Sequence, residues 1–132
     1  MKFELIDVVL ERDLDRLKAL KNVTSGEEYL ADHFPGFPVL PGVMMLETLV
    51  QAARKLVEGG AMPPQRPLVV SEVRNLRYGN MVKPGQALVV EVNLRKQDGD
   101  YYEFQGQGTV DDQVAVQGRF TLAVLNTEAD SS

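Results

Sequence analysis

His33 is the only histidine in 132 residues, and it opens the run His-Phe-Pro-Gly-Phe-Pro-Val-Leu-Pro-Gly at positions 33–42. Pro35, Pro38 and Pro41 each fix one backbone angle, so His33 is expected in a stiff loop. Fourteen positions further on, Glu47 is the single ionisable side chain among residues 43–53. An imidazole titrates near neutrality and serves as a base. A carboxyl group in an apolar wall is disfavoured as an anion, and when protonated it can donate to a departing hydroxyl. Gln51 follows Glu47 by four residues, a spacing at which its amide can hold the carboxyl. Gly42 and Val43 open the helix, where backbone amides lack helical partners and carry partial positive charge. Gly42 has no side chain, so a ligand carbonyl can come close, and amides aimed at it stabilise an enolate oxygen as it forms. Base, acid and oxyanion site together suit removal of a proton alpha to a carbonyl followed by loss of water from the beta carbon. Apolar walls suit an acyl chain as the body of the substrate.

Each of these residues also has a purely structural reading. A lone histidine in a proline-rich loop can serve as a hydrogen-bonding strut. Glu47 can pair with an arginine of the sheet such as Arg74 or Arg77. Gly42 can be a point of close packing, and Met44 and Met45 read as core filler.

The elements that must position these groups are legible from periodicity. Residues 43–57 are apolar around nearly the whole helical circumference, which predicts a buried helix about 24 Å long. Pro41 suits its first turn, and Gly59 and Gly60 suit its stop. In the second half, Leu88, Val90, Val92 and Leu94 alternate with Val89, Glu91, Asn93 and Arg95, and residues 114–124 repeat the pattern. Period two over such lengths predicts half-buried strands at 68–80, 87–97, 101–110 and 114–125. Asp98-Gly99 and Asp111-Asp112 are turn residues between them, so the strands are antiparallel. Leu10, Leu14, Leu17 and Leu20 have helical spacing, so the pattern alone favours a short amphipathic helix near the start.

Composition narrows the function classes. The chain is long enough for one domain with a real core, assigned to residues 1–125, and the polar stretch 126–132 is expected to be a disordered tail. The absence of cysteine excludes disulfides, thiolate metal sites and a cysteine nucleophile, and one histidine excludes a multi-histidine metal site within one chain. Fourteen basic and nineteen acidic side chains give a formal charge of −5, and there is no basic cluster with interleaved aromatics, so nucleic acid is not an expected partner. Glu4 and Asp7 stand where a secretory signal would be apolar, and no apolar run is long enough to span a bilayer, so a cytoplasmic, membrane-free protein is expected.

The motif His-Phe-Pro-Gly-x-Pro-x-x-Pro-Gly-Val, followed by Glu and Gln one and two turns into the helix, resembles the signature of the bacterial beta-hydroxyacyl-acyl carrier protein dehydratases. His33, Phe34, Pro35, Gly36, Pro38, Pro41, Gly42, Val43, Glu47 and Gln51 all match it. Lys21-Asn22-Val23-Thr24 and Val82-Lys83-Pro84-Gly85-Gln86 extend the likeness to either side. The resemblance implies a hotdog fold of the α+β class, an antiparallel sheet wrapped around one long helix. It also implies strands at 5–10 and 18–23, against the helix that leucine spacing suggests.

The resemblance further implies a homodimer with shared active sites, in which His33 of one subunit meets Glu47 of the other; in the family such dimers often assemble into hexamers as trimers of dimers. His33 would then abstract the C2 proton of a (3R)-3-hydroxyacyl thioester and Glu47 would protonate the leaving 3-hydroxyl. The amides of Gly42 and Gly36 would hold the thioester oxygen while Gln51 orients Glu47. The substrate would arrive on the phosphopantetheine arm of acyl carrier protein, with no cofactor or metal. Because that carrier is acidic, Arg54, Lys55, Arg77 and Lys83 are candidate docking residues by type. The resemblance also suggests an unusual backbone at His33-Phe34, as in a non-proline cis peptide. Asp32 stands where the family has glycine, and Phe37 occupies a position that is often polar. The rivals within the fold are an acyl thioesterase and an enoyl-CoA hydratase-like enzyme, and the rival outside catalysis is an acyl-binding hotdog protein.

Overall fold

A computed structural model describes residues 4–24, 31–34, 37–60 and 63–125, with backbone alone at 31–34 and 37–38. The tail at 126–132 and Gly36 lie outside the described residues. In chain order the elements are β1 (Val8–Arg12), β2 (Arg16–Asn22), β3 (Ala31–Phe34), β4 (Phe37–Val39), α1 (Gly42–Glu58), β5 (Leu68–Tyr78), β6 (Ala87–Asp98), β7 (Tyr101–Val110) and β8 (Gln113–Val124). Six strands make one antiparallel sheet in the order β1-β2-β6-β7-β8-β5, and β3 pairs with β4 alone. Helix α1 lies across the sheet and touches β2, β5, β6, β7 and β8. This is the expected α+β architecture of one helix held by one antiparallel sheet.

The second half forms strands where alternation places them. Leu88, Val90 and Val92 point into the core while Val89, Glu91 and Asn93 are half-buried on the other face. Short turns close the hairpins. Asp98 faces Tyr101 across a turn with Gly99 at φ 60°. Val110 faces Gln113 across Asp111 and Asp112, whose φ values of 49° and 63° are the pattern of a type I′ turn.

The amphipathic helix suggested by the early leucines does not form, and β1 and β2 stand in its place as the resemblance implied. The reason is burial. Leu17 is fully buried on β2, whereas Leu14 is 98% exposed in the turn that follows β1. β2 pairs with β1 on one side and β6 on the other, and those ladders override local spacing.

Met45, Leu49, Ala52, Ala53 and Leu56 of α1 pack into one cluster with Leu17, Val90, Val92, Leu122 and the stacked rings of Phe104 and Phe120, whose centroids are 5.6 Å apart. The helix is not apolar and buried all round, as periodicity predicted. Val43 is exposed, and Glu47, Gln51, Arg54 and Lys55 form a half-buried line along the helix. At the C-terminal end, Gly59 N–H donates to Lys55 O at 3.0 Å. Arg12 Nη2 donates to the carbonyls of Lys55 and Leu56 at 2.9 and 3.0 Å. A cation on the last carbonyls completes that end of the helix.

Candidate active site

His33 sits on β3, in a two-stranded hairpin where Ala31 faces Val39 and Phe34 faces Phe37. The segment read as a stiff loop is therefore paired strand on both sides of Pro35 and Gly36, because extended backbone on either side of a two-residue connection can satisfy its polar groups across the hairpin. No cis peptide bond occurs among the described residues, which include the backbone of His33 and Phe34. The trans form is the ordinary one, since a non-proline cis bond is costly.

The hairpin enters the helix from a fixed position. Leu40 N–H donates to Val82 O at 2.8 Å. Beyond Val82, Lys83-Pro84-Gly85-Gln86 forms a turn in which Gln86 N–H donates to Lys83 O at 3.0 Å and Gly85 has φ 91°. Proline then glycine with positive φ is the type II pattern. Gly85 N–H donates to Val23 O at 2.8 Å and Val23 N–H to Gln86 O at 3.0 Å, which ties the end of β2 to the same turn. The two flanking motifs noted in the sequence thus meet beneath the entry to α1.

The N-terminus of α1 is open. Pro41 is its N-cap residue and makes no side-chain cap, and no acidic residue lies in the first turn. Pro41 O accepts from Met44 N–H at 3.0 Å and Met45 N–H at 3.2 Å. The amides of Gly42 and Val43 have no partner among the described residues. Both close packing and an accessible oxyanion site, the two readings of Gly42, are compatible with its surroundings. A Cβ at position 42 would lie 2.9 Å from Cε1 and Cζ of Tyr78, so the aromatic ring rests directly on the glycine. Tyr78, the last residue of β5, is half-exposed, and burial pushes its hydroxyl above the usual phenol value. Sequence reading did not single it out. Its approach to Gly42 depends on the β5–β8 pairing that sets Tyr78 opposite Val116.

Glu47 is 40% exposed in the single chain, so its own sheet does not shield it as an apolar helix would suggest. Its partner is neither Arg74 nor Arg77. Arg54 Nη1, two turns along the same helix, donates to Glu47 Oε1 at 3.3 Å, and Arg54 Nε donates to Leu68 O at 3.1 Å. Arg74 instead donates to Glu72 at 2.5 Å. Gln51, between Glu47 and Arg54, accepts a hydrogen bond from Leu5 N–H on Oε1 at 2.9 Å. Among the described residues no three His, Cys, Asp or Glu side chains are grouped as a metal site would require, and no helix is long and apolar enough to cross a membrane.

The FabA-like domain family matches residues 1–119. The chain belongs to the FabA-like family. This FabA-like chain is 40% identical over 125 residues to the 3-hydroxyacyl-[acyl-carrier-protein] dehydratase FabZ of Ralstonia nicotianae, covering 91% of the chain and 76% of the relative. It is 34% identical over 122 residues to FabZ of Lactococcus lactis, covering 92% and 85%. Among solved structures, a chain of the dehydratase heterocomplex ApeI:P from Xenorhabdus doucetiae superposes with a TM-score of 0.76 at 20% identity, covering 96% of this chain and 87% of that one. Thioesterase superfamily member 2 from Mus musculus superposes at 0.71 with 18% identity, covering 93% and 84%. These structures establish the hotdog fold. One fold carries dehydratases and thioesterases alike, so the activity must be argued from the site.

Proposed function

We propose that this FabA-like chain dehydrates (3R)-3-hydroxyacyl-[acyl carrier protein] to the trans-2-enoyl thioester in fatty acid biosynthesis. The observation that carries this reading is the likeness to FabZ over about nine-tenths of the chain, 91% and 92% for the two relatives above, combined with the complete His33-to-Gln51 signature. His33 takes the C2 proton, and the electrons of that C–H bond move into an enolate whose oxygen faces the amides of Gly42 and Val43, with Gly36 as a further donor. The C3–O bond then breaks as Glu47 gives its proton to the hydroxyl, and water leaves. Solvent resets His33 and Glu47. Apart from the carrier's phosphopantetheine no cofactor or metal takes part, and the reaction runs in the cytoplasm.

The site is completed by a second copy of the chain, with Glu47 of one subunit facing His33 of the other. Two observations support this. The Glu47 side chain is 40% exposed in the single chain although its role needs a shielded carboxyl. Strand β5 leaves an edge unpaired in the sheet order, is exposed along most of its 11 residues, and presents Val69, Val70 and Val73 to solvent. A long apolar edge of this kind is a template for another strand. Arg77, next in sequence to the Tyr78 that meets Gly42, and Lys83, next to the Val82 that binds Leu40, are the basic groups for an acidic carrier, and low salt tightens that docking.

The test is turnover of a 3-hydroxyacyl thioester by wild type, His33→Ala, Glu47→Gln and a mixture of the two variants. Each variant alone should lose about 10³-fold or more in kcat, the scale of a positioned acid or base. Mixed dimers should regain part of the activity, because one of their two sites is intact. Release of free thiol without an enoyl product would mark a thioesterase instead. Binding without turnover would mark an acyl-holding protein, and no recovery despite subunit exchange would reject the shared site.

A further inference from the structure

Arg54 makes two hydrogen bonds, one to the sheet and one to the candidate acid. Its Nη1 reaches Oε1 of Glu47 at 3.3 Å and its Nε reaches the carbonyl of Leu68 at 3.1 Å. Seven residues apart, the two side chains lie on the same helical face, since two turns of α-helix return to within about 20°. Leu68 is buried and is the first residue of β5. Arg54 is therefore fixed at one end to the sheet and presents its other end to the carboxylate. An exposed ion pair between two mobile side chains contributes little. This pair differs because the guanidinium is held by a backbone carbonyl, and its planar fork is ordered before the carboxylate is engaged.

We infer that Arg54 is a positioning residue for Glu47, an inference that rests on the reading of Glu47 as the proton donor. The guanidinium holds the carboxyl in one orientation between turnovers. As Glu47 gives its proton to the leaving hydroxyl, negative charge develops on its oxygens within reach of Arg54, and a fixed cation stabilises that charge more in the transition state than in the ground state. Gln51 lies between the two on the helix and binds the backbone of Leu5 through Oε1, so the acid and its neighbours are tied to two separate segments, the chain before β1 and the start of β5. Of the four basic residues offered by type as carrier-docking groups, Arg54 is thereby assigned inward, to the chemistry.

The experiment is steady-state kinetics of Arg54→Met and Arg54→Lys on a 3-hydroxyacyl-carrier-protein substrate, with Glu47→Gln in parallel. Arg54→Met keeps the aliphatic stem and removes both donors. It should lower kcat about tenfold with KM within twofold, because misplacing a reacting group acts on the chemical step. Arg54→Lys restores the charge without the fork and should recover kcat to within about threefold of wild type. Unchanged kcat in Arg54→Met, with Glu47→Gln inactive, overturns this inference and leaves the dehydratase reading standing. A rise in KM alone would make Arg54 a docking residue and also overturns it. A loss of kcat that lysine does not restore, with a lower melting temperature, would reduce Arg54 to a structural role. Activity retained in Glu47→Gln would instead overturn the assignment of the acid itself. If Arg54→Met does not fold, Arg54→Gln, which also removes the charge, takes its place, and an unchanged kcat there refutes the proposal.

Discussion

The two ends of α1 are built in opposite ways. At the C-terminal end the last carbonyls of the helix are met by the Arg12 guanidinium and the amide of Gly59, so the groups that a helix leaves over are satisfied within the chain. At the N-terminal end Pro41 offers no side-chain cap, the first turn holds no acid, and the amides of Gly42 and Val43 find no partner among the described residues. A serine or aspartate at the cap would stabilise a helix by about 1 kcal/mol. The chain forgoes that at the end that follows the β3–β4 hairpin and supplies a cation at the far end. A helix terminus left without a cap suits a ligand's oxygen, whereas a terminus closed by its own chain is arranged for stability.

The largest effect on this contrast should come from Gly42→Ala. The added Cβ would lie 2.9 Å from two carbons of the Tyr78 ring, so the ring must shift. Tyr78 is 49% exposed and has room to move outward, and alanine is a better helix former than glycine by up to about 1 kcal/mol. The melting temperature should therefore change little. The methyl group and the displaced ring would nonetheless crowd the open amides, and kcat/KM should fall about 10²-fold, the scale of losing one oxyanion donor. An unchanged kcat/KM would mean that the open end of the helix takes no part in turnover.

Arg12→Met tests the other end and should reverse the pattern. Two carbonyls lose a charged donor, and chemical denaturation should report a loss of about 1 kcal/mol. Turnover per folded molecule should stay within twofold of wild type. If kcat fell as it does for the N-terminal variant, the division of labour between the two ends would collapse.

The same contrast explains what the sequence made legible. Strands β6 to β8 were readable because alternation and turn residues agree with the observed extents, down to Asp111 and Asp112 in left-handed backbone, although Ala115, expected on the outer face, is buried next to Val116 where the β7–β8 register shifts. The helix was readable in extent, since 43–57 against Gly42–Glu58 differs by one residue at each end. The first strands were not, because four leucines at helical spacing carry the same information as four leucines scattered over two strands and a turn. The pairing of β2 with β6 decides between them. At the site, the signature carries His33, Gly42, Glu47 and Gln51 as residue types. It does not reveal that Glu47 is only half-buried in the single chain, because helical periodicity cannot say which face a sheet leaves uncovered. Arg54 was within reach, since a seven-residue step along a helix returns to the same face. Tyr78 was not, since it meets Gly42 only through the register of β5 on β8.

The smallest expected effect separates the ring of Tyr78 from its hydroxyl. The contact with Gly42 is made by ring carbons, so Tyr78→Phe should keep kcat/KM within twofold at neutral pH. The hydroxyl should appear only in the alkaline limb of stability. Burial raises its folded-state value above that of an unfolded tyrosine, about 10, so the fold favours the protonated phenol. Below that pH both states are neutral and the group adds no pH dependence. As pH rises from the unfolded value through the higher folded value, the unfolded chain releases its proton first and the fold loses stability. Wild type should therefore lose more melting temperature than Tyr78→Phe above about pH 10, while the two coincide at pH 7. Parallel melting curves across that range would place the Tyr78 hydroxyl in solvent and leave the ring's contact with Gly42 as the residue's only role here.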